Sequence, residues 1–318
     1  MEQFTTHKNR YPGENLLDET TQLATILDFI RWGASCFTAH KLFFGHGTNR
    51  PIDEAAQLVF HALHLSHDLP DRYLDAVLTA SERETVVALL ARRINEKKPA
   101  AYLTNEAFFC DLPFYVDERV LIPRSPIAEL IERNFAPWCS QDSVKRILDI
   151  GTGSACIAIA SACYFPYAQV DAVDISQEAL AVAGINVKRH ELSERVRLIQ
   201  SDLFAEISDE KYDLIISNPP YVSDAEWRGL PEEYRFEPKL GFHGGKTGLD
   251  NVLRILNEAR NHLTENGILV IEVGSSAELL QQTYPDVEFL WLDFERGGDG
   301  VFLLTLEQLV GYDWSVVG

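Results

Sequence analysis

The sequence predicts an α/β protein: a doubly wound parallel sheet over residues 123–318, preceded by a small all-helical domain over 1–98 and a β-hairpin connector over 99–122. Three observations carry this. From Lys145 onward, short β-prone runs alternate with helical segments, as strands and crossover helices do in a parallel sheet. Upstream, from about Leu16 to Lys98, apolar residues recur at three and four positions, the period of a helix buried on one face. Between them, Tyr102–Val120 is rich in β-prone residues such as Phe108, Phe109 and Phe114. The run is broken by Asp111-Leu112-Pro113, which reads as a hairpin or an extended connector.

In chain order, Leu23, Ile26, Leu27, Ile30, Ala34 and Phe37 line one helix face, and further helices are expected over Asp53–Ser66 and Glu82–Asn95. Ser81, with Glu84 three positions on, reads as a capping box for the last of these, and Lys97-Lys98-Pro99 ends it. No catalytic constellation falls in this stretch, so it is expected to contact a partner or to pack on the rest. Next comes Val120-Leu121-Ile122-Pro123-Arg124-Ser125-Pro126, leading into a helix over Ile127–Asn134. Arg124, held between prolines, either lines a substrate mouth or pairs with a neighbouring carboxylate. Strands are expected at Arg146–Ile150, Gln169–Val173, Arg195–Gln200, Asp213–Ser217, Ile268–Val273, Glu288–Trp291 and Val301–Thr305. Helices between them include Gln177–Arg189, Gly248–Leu263 and Ala277–Tyr284.

Composition narrows the function. With 318 residues, 46% hydrophobic and 24% charged, the chain has the profile of a globular protein able to build a full core. No apolar run approaches the roughly 18 residues of a spanning helix, and Met1–Lys8 lacks a signal-peptide hydrophobic region, so a cytoplasmic protein with no membrane partner is expected. The five cysteines are scattered without a Cys-x-x-Cys pair, and His61, His64 and His67, although at helical spacing, lack accompanying carboxylate or thiol ligands. No metal site is expected. A net charge of −20 argues against gripping nucleic-acid phosphates and favours a basic partner.

The chemistry sits at the expected strand ends. Strand Arg146–Ile150 runs into Gly151-Thr152-Gly153-Ser154-Ala155 and then a helix, a turn that lets a ligand approach backbone N–H groups closely. The third glycine of the dinucleotide fingerprint is missing. Asp174, at the end of the next strand, is placed to accept hydrogen bonds from two ribose hydroxyls. Asp202 is placed to bond an adenine amino group while Leu203 packs on the ring. After the fourth strand comes Asn218-Pro219-Pro220-Tyr221. A side-chain carbonyl and a proline carbonyl lying close together form two acceptors for one planar NH2 group, two prolines stiffen them, and Tyr221 adds an aromatic wall. A nucleoside site without pyrophosphate beside such a grip points to methyl transfer from S-adenosyl-L-methionine. Gly245-Lys246-Thr247 echoes a phosphate loop, but Leu240 stands where its first glycine belongs.

These motifs, Leu148–Ser154, Val173–Ser176, Ser201–Phe204 and Ser217–Tyr221, resemble the HemK family of protein-(glutamine) N(5)-methyltransferases over essentially the whole chain. Leu121–Pro126, Tyr234-Arg235-Phe236-Glu237-Pro238 and Arg296-Gly297-Gly298-Asp299-Gly300 are most similar to its PrmB branch, which methylates a glutamine in the third protein of the large ribosomal subunit. The resemblance implies a class I S-adenosylmethionine-dependent methyltransferase domain with a Rossmann-like seven-stranded sheet. It implies Asn218 and Pro219 as catalytic residues, and Pro220, Tyr221 and Arg124 beside them on the substrate. Asp149, Gly151, Thr152, Gly153, Ser154, Asp174, Asp202, Leu203 and Asn218 would hold the cofactor. Ala155 stands where the family commonly has glycine, and Leu203 where some relatives have an aromatic residue. Competing readings are the same reaction on peptide-chain release factors, methylation of the adenine amino group in DNA or RNA, and a non-catalytic ribosome assembly factor. The acidity and the lack of a basic recognition domain stand against the nucleic-acid reading.

Overall fold

The structure, a computed structural model, describes residues 20–314. The beginning of the helical tract at Leu16 and the stretch Met1–Lys8 lie outside the described residues. The chain divides into two compact units, Met1–Thr104 and Asn105–Gly318.

The first unit contains helices α1 (Ile26–Ala39), α2 (Pro51–Ala62), α3 (Ala80–Glu96) and the short α4 (Ala100–Thr104). Thr25 caps α1 through a reciprocal bond with Asp28, and Pro51 opens α2, where a missing N–H costs nothing. The capping box of α3 is Thr79 with Glu82, two residues earlier than the Ser81–Glu84 pair expected from sequence. Thr79 has the extended backbone of a cap, and Glu82 Oε2 accepts its N–H at 2.7 Å. Helix α2 stops at Ala62, and His64 takes a left-handed φ of 55°, so His61, His64 and His67 do not share one helix. Phe29, Phe37, Leu58, Val59, Val86 and Leu90 form the core. Inside it, Arg93 donates to Glu54 at 2.6 Å and to the Phe43 carbonyl at 3.0 Å.

The second unit opens with a hairpin of β1 (Ala107–Phe109) and β2 (Leu112–Phe114). Cys110 and Asp111 both have positive φ, the two-residue turn that matches strand twist. Residues Ala100–Thr104, within the expected connector, are helical and fall in the first unit. Helix α5 (Ile127–Glu132) precedes β3 (Arg146–Ile150), α6 (Cys156–Tyr164), β4 (Gln169–Asp174), α7 (Gln177–Arg189), β5 (Val196–Gln200) and β6 (Tyr212–Ser217). Then come α8 (Asp224–Gly229), α9 (Asp250–Ala259), β7 (Leu263–Glu272), α10 (Ala277–Thr283), β8 (Leu290–Leu292), β9 (Val301–Thr305) and α11 (Leu306–Val310). The sheet has seven strands in the order β5-β4-β3-β6-β7-β9-β8, parallel from β5 to β7, with β9 antiparallel to both its neighbours.

Boundaries differ from expectation where local geometry intervenes. Helix α9 starts at Asp250 because Gly248 has a φ of +85°, which ends the preceding turn rather than opening a helix. Strand β7 starts at Leu263, before an irregularity in its pairing with β6, and β8 is shifted to Leu290–Leu292. Leu148, Ile150, Ile215, Leu269, Ile271 and Phe302 are almost wholly buried between sheet and helices. Among the described residues, no helix is long and apolar enough to cross a membrane.

The Arg93–Glu54 pair, 0% and 3% exposed, gives a direct test of the helical unit. Glu54→Ala leaves a guanidinium buried without its carboxylate, and urea unfolding should show a loss of about 3–5 kcal/mol. Replacing both partners by Leu and Met should recover most of it.

Candidate active site

The parallel strands carry their carboxyl ends to one edge. Ile150 lies level with Val173 on one side and Ser217 on the other, Asp174 with Gln200, and Ser217 with Ile271. The next residues are therefore neighbours, and a Cβ built on Gly151 would lie 3.9 Å from the Asn218 carbonyl. A cavity of about 460 Å³ opens at this edge, walled by Ile150–Ser154, Val173–Ser176, Ser201–Leu203 and Asn218–Val222, together with Arg119–Ser125.

On the first side, Gly151 and Thr152 both donate to the Val173 carbonyl at 2.9 Å, which lays the loop across the end of β4. Gly153 donates to Asp174 Oδ2 at 2.9 Å and Ser176 to Oδ1 at 2.8 Å. Each Asp174 oxygen thus takes one backbone bond and keeps acceptor capacity on the cavity side, as a diol requires. Burial raises the Asp174 carboxyl above its ordinary range, against the pull of those N–H groups. Asp202 lies on the wall paired with Arg254 at 2.9 Å, and Leu203 takes a φ of 52°. Ala155 is fully buried at the start of α6 with a φ of 64°, a conformation that suits glycine better by about 1–2 kcal/mol.

Asp149 is not on the wall. It lies beneath the loop, 1% exposed, and its Oδ2 accepts the Thr152 hydroxyl at 2.6 Å and the Ala158 N–H at 3.1 Å. It ties the loop to the first turn of α6, whose N–H groups lack helical partners. Burial pushes its carboxyl up to about 7, although those two bonds pull the other way.

On the second side, Asn218, Pro219, Pro220 and Tyr221 all line the cavity. The Ser217 hydroxyl fastens β6 to the Ile150 carbonyl at 2.8 Å, and Ser276 donates to the Tyr221 carbonyl at 3.1 Å. Arg124 lines the cavity and makes a two-pronged pair with Glu237 at 2.9 and 3.0 Å, the carboxylate pairing being one of its two expected alternatives. The guanidinium lies 5.6 Å from the Tyr234 ring centre and 5.5 Å from that of Phe242.

Several wall residues are not singled out by sequence reasoning, Glu272, Phe242, His243 and Arg254, while Ser125 and Tyr234 fall within the branch motifs without an assigned role. Glu272 is 5% exposed and accepts hydroxyls from Ser125 at 2.5 Å and Tyr221 at 2.9 Å. Burial raises its carboxyl, with the two hydroxyls opposing. An acidic residue closing the apolar run Ile268–Ile271 is the one signal the sequence offers for it. His243 bonds Asp224 at 2.8 Å across the rim.

Sheet order, carboxyl-edge cavity and glycine loop together define a class I methyltransferase, and residues 134–229 match the model of the family "Methyltransferase small domain". The chain is 49% identical to a ribosomal protein uL3 glutamine methyltransferase of Xanthomonas campestris pv. campestris, over 92% of this chain and 94% of the relative. It is 45% identical to the protein of the same name from Francisella tularensis subsp. tularensis, over 95% of this chain and 96% of that one. The chain belongs to the family of ribosomal protein uL3 glutamine methyltransferases. Its fold is also similar to that of the hMettl16 catalytic domain, at 16% identity and a TM-score of 0.50 over 77% of this chain and 87% of that one.

Asp149 makes the site's stability depend on pH. Its folded pKa of about 7 lies above the ordinary 3.8, so the native state holds a proton that the unfolded chain releases. This contribution is fully present below about pH 4 and is lost as pH rises to about 7. Urea midpoints at pH 5 and pH 8 should show Asp149→Asn gaining on the parent protein at the higher pH.

Proposed function

We propose that this chain transfers the methyl group of S-adenosyl-L-methionine to the side-chain amide nitrogen of a glutamine in ribosomal protein uL3. The observation that carries the reading is the placement of Asn218 and Pro219 beside the Gly151 loop, in a chain nearly half identical to enzymes bearing that name. The residues present fit the cofactor: Asp174 retains acceptor capacity for a ribose diol, and Asp202 and Leu203, on the same wall, would meet an adenine. Gly151, Thr152, Gly153 and Ser154 would line the remainder, while Asp149 acts from beneath by holding the loop. When bound, S-adenosylmethionine supplies an electrophilic methyl group on a sulfonium.

An amide nitrogen is a poor nucleophile because its lone pair is conjugated into the carbonyl. The chain's task is therefore to aim it. In this reading Asn218 Oδ1 and the Pro219 carbonyl accept the two N–H bonds of the glutamine and hold its nitrogen toward the methyl group, so that most of the acceleration is orientation. Once the new N–C bond has formed, the nitrogen's extra proton is strongly acidic and leaves to water or to a gripping carbonyl. No dedicated base is needed. The net charge of −20 favours a basic protein substrate, the helical unit would serve its recognition, and a ribosomal substrate places the reaction in the cytoplasm.

Purified uL3, incubated with the enzyme and S-adenosylmethionine, should gain one methyl group on a single glutamine, located by mass spectrometry. A peptide-chain release factor treated alike should not. Asn218→Ala removes one of the two acceptors and should lower kcat by roughly 10²-fold or more. Full activity in that variant, or methyl incorporation into the release factor instead, refutes the assignment.

A further inference from the structure

The loop that carries Asn218 and the strip that carries Arg124 are joined through one carboxylate. Glu272 ends β7, and because Ser217 is level with Ile271, Glu272 stands beside Asn218 at the sheet edge and on the cavity wall. Its Oε1 accepts the Tyr221 hydroxyl at 2.9 Å and its Oε2 the Ser125 hydroxyl at 2.5 Å. Ser125 Oγ in turn accepts the Ile127 N–H at 3.2 Å, which fixes the entry to α5. The Tyr221 ring is also held from behind. A Cβ on Gly274 would lie 2.5 Å from Tyr221 Cε2, and one on Gly300 would lie 2.3 Å from the Gly274 carbonyl oxygen. Val273 donates to the Gly300 carbonyl at 2.7 Å, so the end of Arg296–Gly300, a segment given no role by the chemistry above, closes against the same corner.

We infer that Glu272 is a positioning residue for the acceptor amide: through Tyr221 and Ser125 it sets the Asn218–Tyr221 turn against the Leu121–Pro126 strip, with Arg296–Gly300 as its backing. This rests on the amide-methylation reading. A carboxylate suits the place because two hydroxyls reach it from different segments and each oxygen accepts one of them. Glutamine offers one acceptor oxygen, and leucine none. Glu272 has no bond to the cofactor-side loops, so its effect falls on the aim of the amide, not on cofactor affinity.

The test measures kcat, KM for uL3, and calorimetric Kd for S-adenosylhomocysteine in Glu272→Gln, Tyr221→Phe and their double variant. Each single change should lower kcat about tenfold, the order expected for a sub-ångström misplacement of a reacting group, and leave the Kd within about twofold. The double variant should be no worse than the poorer single one, because both remove the same link. Unchanged kcat in Glu272→Gln, effects that multiply in the double variant, or a loss confined to Kd overturns the inference. Ser125→Ala provides a second variant that leaves the buried carboxylate in place, and it should lower kcat in the same way. A parent enzyme unable to methylate uL3 would instead sink the function itself, so the two failures are distinct.

Discussion

The site depends on the hydrogen-bonded register of β3 between β4 and β6. From β3 the sheet grows outward through β4 to β5, and the chain then returns to lay β6 on the opposite side of β3. The crossovers leave β3 and β6 in opposite directions, which opens a crevice above their carboxyl ends. Because Ile150 pairs level with both Val173 and Ser217, the nucleoside side and the amide side of the cavity begin within one residue of each other. Side chains alternate along a strand, so a slip of one residue would bring Asp149 to the face that Ile150 now fills and unhook it from Thr152 and Ala158. The apolar ladder of Leu148, Ile150, Ile215 and Ile271 prevents that slip.

What the core stabilises, the edge consumes. Ala155, buried at the start of α6, and Leu203, on the cavity wall, are non-glycine residues that hold left-handed backbone, a strain of about 1–2 kcal/mol each. Asp149, Asp174 and Glu272 are carboxyls whose burial disfavours the charged form. Each is answered locally by N–H or O–H donors from the loop it organises. The acids and the loops are thus mutually dependent, and either would relax without the other.

This division explains what could be read from the sequence. Arg146–Ile150, Gln177–Arg189 and Val301–Thr305 match their expected bounds because their periodicity is local and uninterrupted. The early part of β7 could not be read, since Thr264-Glu265-Asn266-Gly267 carries no strand pattern and is set by its neighbour. Thr79–Glu82 and Ser81–Glu84 fit the same cap pattern, and only backbone geometry chooses between them. The cavity residues named from motifs reach the wall apart from Asp149, whose side chain the strand's alternation turns inward. The place of Glu272, and which carboxylate Arg124 would meet, were not legible because the pairs Arg124–Glu237 and Ser125–Glu272 are separated by 113 and 147 positions in sequence.

The same geometry bears on which side chain the site accepts. In the proposed reading, two carbonyl oxygens that accept one NH2 group would repel a carboxylate, so the grip would disfavour glutamate against glutamine. A free guanidinium beside that grip would undo the selection by welcoming the acid. Arg124 is instead paired: its charge is matched by Glu237, which accepts from both Nη atoms, Nη1 also donates to the Ile122 carbonyl, and the guanidinium lies near the Tyr234 and Phe242 rings. The pair presents the cavity with matched charge and aromatic surface, an environment in which a neutral carboxamide loses less hydration than an ion would. Under that reading, selection of a neutral amide would draw on two parts of the chain, the proline-stiffened turn and the Arg124–Glu237 pair.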